Sequence, residues 1–128
     1  MNELQKGIAA AALDDFAVPA PETVTRRYRF SADFIGFSGH FPGDPILPAI
    51  AQLRAVVSLA EAHSGRPLRL AAVEFAKFLS PIHPCEEVRV RYTRTTGAGR
   101  SLYDATLSVD GKTAAAFLLH LADEDGHR

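Results

Sequence analysis

GFSGHFPGDPILPAIAQLR, residues 36–54, changes character halfway along. Its first half forms turns, with Gly36, Gly39, Pro42, Gly43 and Pro45 set around a single histidine, His40. After Pro48 the chain turns apolar and carries no further Gly or Pro until Gly65. Proline is tolerated in the first turn of a helix, because the N–H it lacks would have no intrahelical partner there. A helix is therefore predicted from Pro48, ending at Gly65 with His63 in its last turn. Ile50, Leu53, Val57 and Ala60 fall at helical spacing and mark the expected buried stripe. Arg54 sits on a face of this helix that otherwise reads as apolar.

Working outward, the segments on either side read as strands. ETVTRRYRF (22–30) sets Val24, Tyr28 and Phe30 against Thr25, Arg27 and Arg29, the alternation of a half-buried strand. PLRLAAVEFAKFL (67–79) is apolar and extended, and SPIHPC ends it. EVRVRYT (87–93) and SLYDATLSV (101–109) alternate clearly. Asp110-Gly111 is a hairpin signal, from which KTAAAFLLHL (112–121) returns. Residues 1–21 are read as a short helix and a loose lead-in, and 122–128 as a polar tail. The expected architecture is α+β, with one long helix laid across a strongly curved antiparallel sheet whose exposed edges favour pairing with a second copy.

Length and composition narrow the function classes. At 128 residues, 47% of them hydrophobic and 23% charged, the chain is expected to be one globular domain. A net charge of −1 gives no reason to expect a nucleic-acid partner. Two arginine clusters, Arg26/Arg27/Arg29 and Arg89/Arg91/Arg94, read either as a solvated strand face or as a docking surface for an acidic partner. Cys85 is the only cysteine and can form neither an internal disulfide nor a zinc cluster. The five histidines show no metal-ligand spacing, so no metal is expected. No stretch approaches the roughly 20 apolar residues of a membrane span, and a cytoplasmic location is expected.

GHFPGDPILPAIAQL (39–53) resembles the GHFPG-x-P-x-x-P-G signature of the hot-dog-fold 3-hydroxyacyl-[acyl-carrier-protein] dehydratases, the FabA/FabZ-like family. Its PAIAQL part is most similar to the aryl-polyene-type branch. AVEFAKFLSPIHPCEEVRVRY (72–92) and VDGKTAAAFLL (109–119) resemble the family's later strands in the right order. The resemblance implies a hot-dog fold and a dimer, or a higher even oligomer, with active sites at the subunit interface. It also implies a 3-hydroxyacyl substrate carried as a thioester, on the phosphopantetheine of an acyl carrier protein or on CoA, with no cofactor bound by the protein.

Water elimination from such a thioester needs a base at C2, for which the resemblance implies His40. Charge then builds on the thioester oxygen, and the first N–H groups of the helix, that of Ala49 in particular, are implied as its donors. Phe41, Gly43, Leu47, Pro48 and Phe78 are implied to line the substrate site, although Phe41, Leu47 and Phe78 also read as core residues. The family places Glu or Asp where this sequence has Arg54. A guanidinium with a pKa above about 12 cannot cycle as a general acid at neutral pH.

Three readings of Arg54 stay open. A replacement acid serves, with Asp44, Glu61, Glu74 and His83 as candidates; or Arg54 orients water or an acidic group in a slower enzyme; or the chain is a non-catalytic partner subunit that binds acyl chains or carrier protein. Arg54 also reads as one half of an ion pair with Glu61. A hot-dog thioesterase is a further alternative.

Overall fold

The structure, a computed structural model, describes residues 2–38, 43–97 and 99–124. His40 and Phe41 lie outside the described residues. Six strands form one antiparallel sheet in the order β1-β2-β4-β5-β6-β3. They are β1 (Ala17–Ala20), β2 (Thr23–Arg29), β3 (Leu68–Phe78), β4 (Glu87–Gly97), β5 (Arg100–Val109) and β6 (Lys112–Asp123). The β5–β6 turn is the one its sequence foretells: Asp110 and Gly111 both take positive φ, 53° and 79°, as a two-residue hairpin with the right twist requires.

Among the described residues two α-helices and a short 3-10 turn, Ile35–Phe37, accompany the sheet. α1 (Glu3–Ala10) starts with a capping box between Asn2 and Gln5. α2 (Ala49–Ser64) begins after Pro48 and ends on Gly65 at φ 76°, a left-handed conformation that glycine adopts without a Cβ penalty. α2 packs against β2 and β4 near one edge of the sheet and against β3 at the other. A sheet can touch one helix with both flanks only by bending round it, so the predicted α+β arrangement, a central helix in a curved antiparallel sheet, is present.

Three local expectations are corrected. The lead-in is not loose throughout, because Ala17–Ala20 pairs with β2 as a short edge strand. The buried stripe of α2 is offset from Ile50, Leu53, Val57 and Ala60. Ala51, Gln52, Ala55, Val56 and Leu59 are buried with Val57 and Ala60, whereas Ile50 is 49% exposed. The three alanines let the helix backbone approach the sheet closely. Thr23 and Thr25 are also buried, each satisfied by a hydrogen bond: the Thr23 and Thr93 hydroxyls lie 2.9 Å apart, and the Thr25 hydroxyl donates to the Val90 carbonyl at 3.1 Å.

The arginine clusters face largely outward. Arg27 bonds Asp14 at 2.9 Å and Arg94 meets Glu22 at 3.3 Å, so part of each cluster is neutralised on the surface. β3 is different. It is an edge strand, exposed from Ala71 to its end, and its apolar Val73, Phe75 and Phe78 are uncovered. A bulge between Glu74 and Lys77 interrupts its pairing with β6, and Phe75 there takes φ 55°, an unusual conformation for a bulky residue.

Leu59 is fully buried between α2 and the sheet. Leu59→Ala should lower the unfolding free energy by about 2–5 kcal/mol, because a cavity is added to the lost transfer energy. Urea denaturation measures this directly.

Candidate active site

The motif loop is fixed on both sides of residues 39–42. On the near side, Phe34 and Phe37 are buried, and the rings of Phe30, Phe34 and Phe37 follow one another at 4.8 and 5.8 Å. Gly36 permits this packing, since a Cβ there would collide with the Phe34 ring. On the far side the chain leaves Gly43 at φ 92°, a glycine conformation, and runs to Leu47.

Leu47 is the anchor of that far side. Its side chain is 1% exposed and lies in the core. Its N–H donates to the Ile82 carbonyl at 2.8 Å, and its own carbonyl accepts from Gln52 Nε2 at 3.0 Å. Pro48 follows as the N-cap with extended backbone, and its carbonyl accepts from the N–H groups of Ala51 (3.0 Å) and Gln52 (3.2 Å). A peptide carbonyl and the next N–H point in opposite directions across a trans peptide. The Ala49 N–H therefore points away from the helix, and among the described residues it has no partner. Ala49 itself is exposed. The start of α2 thus presents a free donor at the positive end of a four-turn helix.

The other site residues named from sequence fall as follows. Gly43 is exposed and Pro48 half-buried. Phe78 is 47% exposed, with its ring 6.2 Å from that of Phe117 on the concave side. Arg54 is half-buried on the same side of α2 as the exposed Ile50. No carboxylate among the described residues pairs with it. The expected Arg54–Glu61 pair is not formed. Glu61 instead accepts the Leu68 N–H at 2.7 Å and ties the end of α2 to the start of β3.

Of the four candidate replacement acids, two are thereby removed from the helix start. Glu61 is at the far end of α2, and Glu74 meets His120 Nε2 at 2.9 Å on the outer face of β3 and β6. The His120 nitrogen is buried there without a hydrogen-bond partner among the described residues. Asp44 and His83 come together instead: His83 Nε2 lies 3.8 Å from Asp44, and His83 Nδ1 lies 3.4 Å from Glu86. The Leu47–Ile82 hydrogen bond brings this group beside the helix start.

Sequence reasoning missed Gln52, a buried amide in the first turns of α2. Its signal was a polar residue inside the apolar run AIAQL.

Cavities of about 560 and 210 Å³ open near the C-terminal end of α2, around Arg66 and Tyr103, and contain no motif residue. Among the described residues no cluster of His, Cys, Asp or Glu has metal-binding geometry, and no helix is long and apolar enough to cross a membrane.

Comparison with known proteins gives a consistent result. The family described as ApeI-like, ApeI dehydratase, matches over residues 18–116. The chain is 31% identical over 96 residues to the 3-hydroxyacyl-[acyl-carrier-protein] dehydratase FabZ of Thermomicrobium roseum, a match covering 64% of each chain. It is 31% identical over 102 residues to the FabZ of Brucella ovis, covering 70% of this chain and 65% of the relative. The chain thus spans a little under two thirds of these relatives' length. Among solved structures, the dehydratase heterocomplex ApeI:P from Xenorhabdus doucetiae matches with a TM-score of 0.73 at 21% identity, covering 87% of this chain and 96% of that one. The E. coli PaaI protein from the phenylacetic acid degradation operon matches with a TM-score of 0.66 at 15% identity, covering 91% and 88%. At these identities the likeness is one of fold, and the fold is the hot-dog fold.

Because Arg54 has no ion pair to lose among the described residues, Arg54→Ala should change the unfolding free energy by no more than about 1 kcal/mol. A buried, paired arginine would cost about 3–5 kcal/mol on the same substitution. Chemical denaturation separates the two.

Proposed function

This chain belongs to the ApeI-like dehydratase family, and on that premise we propose that it eliminates water from a 3-hydroxyacyl thioester carried on acyl carrier protein or CoA. The observation that supports this most is the N–H of the exposed Ala49 at the start of α2, without a partner among the described residues and in the same stretch as His40. In the proposed reaction His40 takes the C2 proton. The electron pair forms the C2–C3 double bond as the C3–O bond breaks, and the hydroxyl leaves as water after receiving a proton. Negative charge on the thioester oxygen is met by Ala49 N–H and the positive helix start, where a preorganised donor costs no reorganisation. Gly43, Pro48 and Phe78, with Phe41 and the backbone of Leu47, are assigned to the substrate site. The reaction as drawn uses protein groups alone.

Arg54 cannot donate and recover a proton at neutral pH. The proton donor is therefore assigned to the Asp44–His83 group, with Arg54 holding a water or the departing oxygen by hydrogen bonds. Losing a general acid costs about 10²–10⁴ in rate, so a slow enzyme is the expected phenotype.

A second copy is proposed to cover the exposed β3 edge. An edge strand, paired on one side only and bearing uncovered Val73, Phe75 and Phe78, offers both hydrogen-bonding groups and apolar area to a partner. That no carboxylate among the described residues pairs with Arg54 also favours a second reading, in which this chain is the non-catalytic partner of an active dehydratase and supplies its edge and acyl surface.

Hydration of a crotonyl thioester, followed by loss of the enoyl absorbance, tests the first reading. Wild type should turn over, and His40→Ala should lower kcat by about 10²–10⁴. Activity absent from wild type but appearing in Arg54→Glu would establish the second reading, activity absent from both would defeat the dehydratase assignment, and release of free thiol would indicate a thioesterase. For assembly, Phe75→Asp should convert the dimer to monomer in analytical ultracentrifugation, since a charge is costly in a closed apolar contact; a wild-type monomer would sink the dimer.

A further inference from the structure

We infer that Gln52 is a positioning residue for the thioester step, the single side chain that aims the Ala49 N–H; this rests on the dehydratase reading above. Two peptide planes precede that donor: the Gln52 side chain holds the first, and the second is shared by the backbone N–H groups of Ala51, at 3.0 Å, and Gln52. Its backbone N–H bonds the Pro48 carbonyl at 3.2 Å, and its Nε2 bonds the Leu47 carbonyl at 3.0 Å. The Pro48 carbonyl belongs to the same peptide as the Ala49 N–H, so fixing one fixes the other. The Leu47–Pro48 peptide has no N–H of its own, and its carbonyl would otherwise lack a partner in the interior.

The residue is built for this and for little else. It is 4% exposed in a helix otherwise buried through alanine, valine and leucine. A glutamine in such a place is retained at a cost, because its Oε1 is buried with no hydrogen-bond partner among the described residues. Reversing the amide gives no relief, since it would set two carbonyl oxygens against each other at Leu47; Nε2 must face Leu47. Among the described residues that acceptor stays vacant beside the helix start. A leucine or methionine would fill the volume and leave the core satisfied, so packing alone does not account for an amide here.

The test uses the full chain with Gln52→Met, which removes both amide groups at similar length, and Gln52→Glu, which replaces the donor by a titratable one. The readouts are kcat and KM for crotonyl-thioester hydration and the ¹H–¹⁵N resonance of the Ala49 amide, which needs no turnover. Gln52→Met should lower kcat by about tenfold to a hundredfold, change KM by less than about threefold, and shift the Ala49 amide. In Gln52→Glu a protonated carboxyl can donate to the Leu47 carbonyl and an ionised one repels it. Its kcat relative to wild type should therefore rise as pH falls, a dependence that a purely structural role would not produce. An unmoved Ala49 amide in Gln52→Met, or a kcat equal to wild type, overturns the inference. If wild type shows no turnover, the dehydratase reading fails and the amide resonance alone decides the role of Gln52. If Gln52→Met does not fold, the pH profile of Gln52→Glu decides, and a flat profile overturns the inference.

Discussion

Leu47 is held from both directions along the backbone and by its side chain at once, and the site depends on that residue staying where it is. Its N–H is tied to Ile82, its carbonyl to Gln52, and its isobutyl group to the core. Three parts of the chain meet there: the motif loop, the first turns of α2, and the connection from β3 to β4. A loop rich in glycine and proline has little apolar surface of its own with which to fix a position. Borrowing rigidity from a buried leucine and from the connection behind it is how such a loop becomes preorganised. The positive end of α2 then faces outward at a defined place, and its direction is set by hydrogen bonds that are themselves shielded from water.

The same geometry leaves surplus apolar surface at one edge of the sheet. One sixteen-residue helix covers the flank formed by β2 and β4 and reaches the start of β3, but most of β3 stays uncovered. A strand that pairs on one side only is a liability unless something completes it. Here the usual protections are weak: the charged residues in the exposed part of the strand, Glu74 and Lys77, point to the outer face, and the bulge at Phe75 pushes an aromatic ring into the open. The second copy proposed for this edge would close over the side of α2 that carries Ile50 and Arg54.

Much of the fold was legible because it is written in short-range chemistry. Pro48 and Gly65 bracket α2, Asp110-Gly111 makes its hairpin, and the alternation in 87–93 and 101–109 gives strands at those places. What escaped the sequence depends on tertiary neighbours. Ala17–Ala20 contains a proline and no alternation, and it is a strand only because β2 offers it an edge. The helix stripe was misplaced because alanines at 51 and 55 count little on a hydropathy reading, yet they are buried where the sheet comes closest. Arg54 and Glu61 share a side of α2, but the Leu68 N–H, invisible in helical spacing, takes the carboxylate first. The motif directed attention to this loop, whereas Gln52 emerged only from the hydrogen bonds around Leu47.

The balance at the proposed site turns on which groups the elimination can do without. In the proposed reaction, charge on the thioester oxygen would be met by a backbone donor, which no substitution other than proline at position 49 deletes. Removing a side-chain oxyanion donor in other enzymes costs about 10²–10³, a measure of what such a donor is worth when kept. The proton for the leaving oxygen is the group that Arg54 fails to supply, and water or a nearby imidazole can supply one at a penalty of about 10²–10⁴. The two magnitudes overlap, so a chain that keeps its base and its oriented donor retains a substantial share of the catalytic power. What it loses is speed at the second proton transfer. A permanent positive charge in that position favours whatever is negative there, the departing oxygen above all. On this physical ground Arg54 is better suited to holding an anion in place than to passing a proton, and the site is biased toward binding the late, charge-separated stage of the reaction.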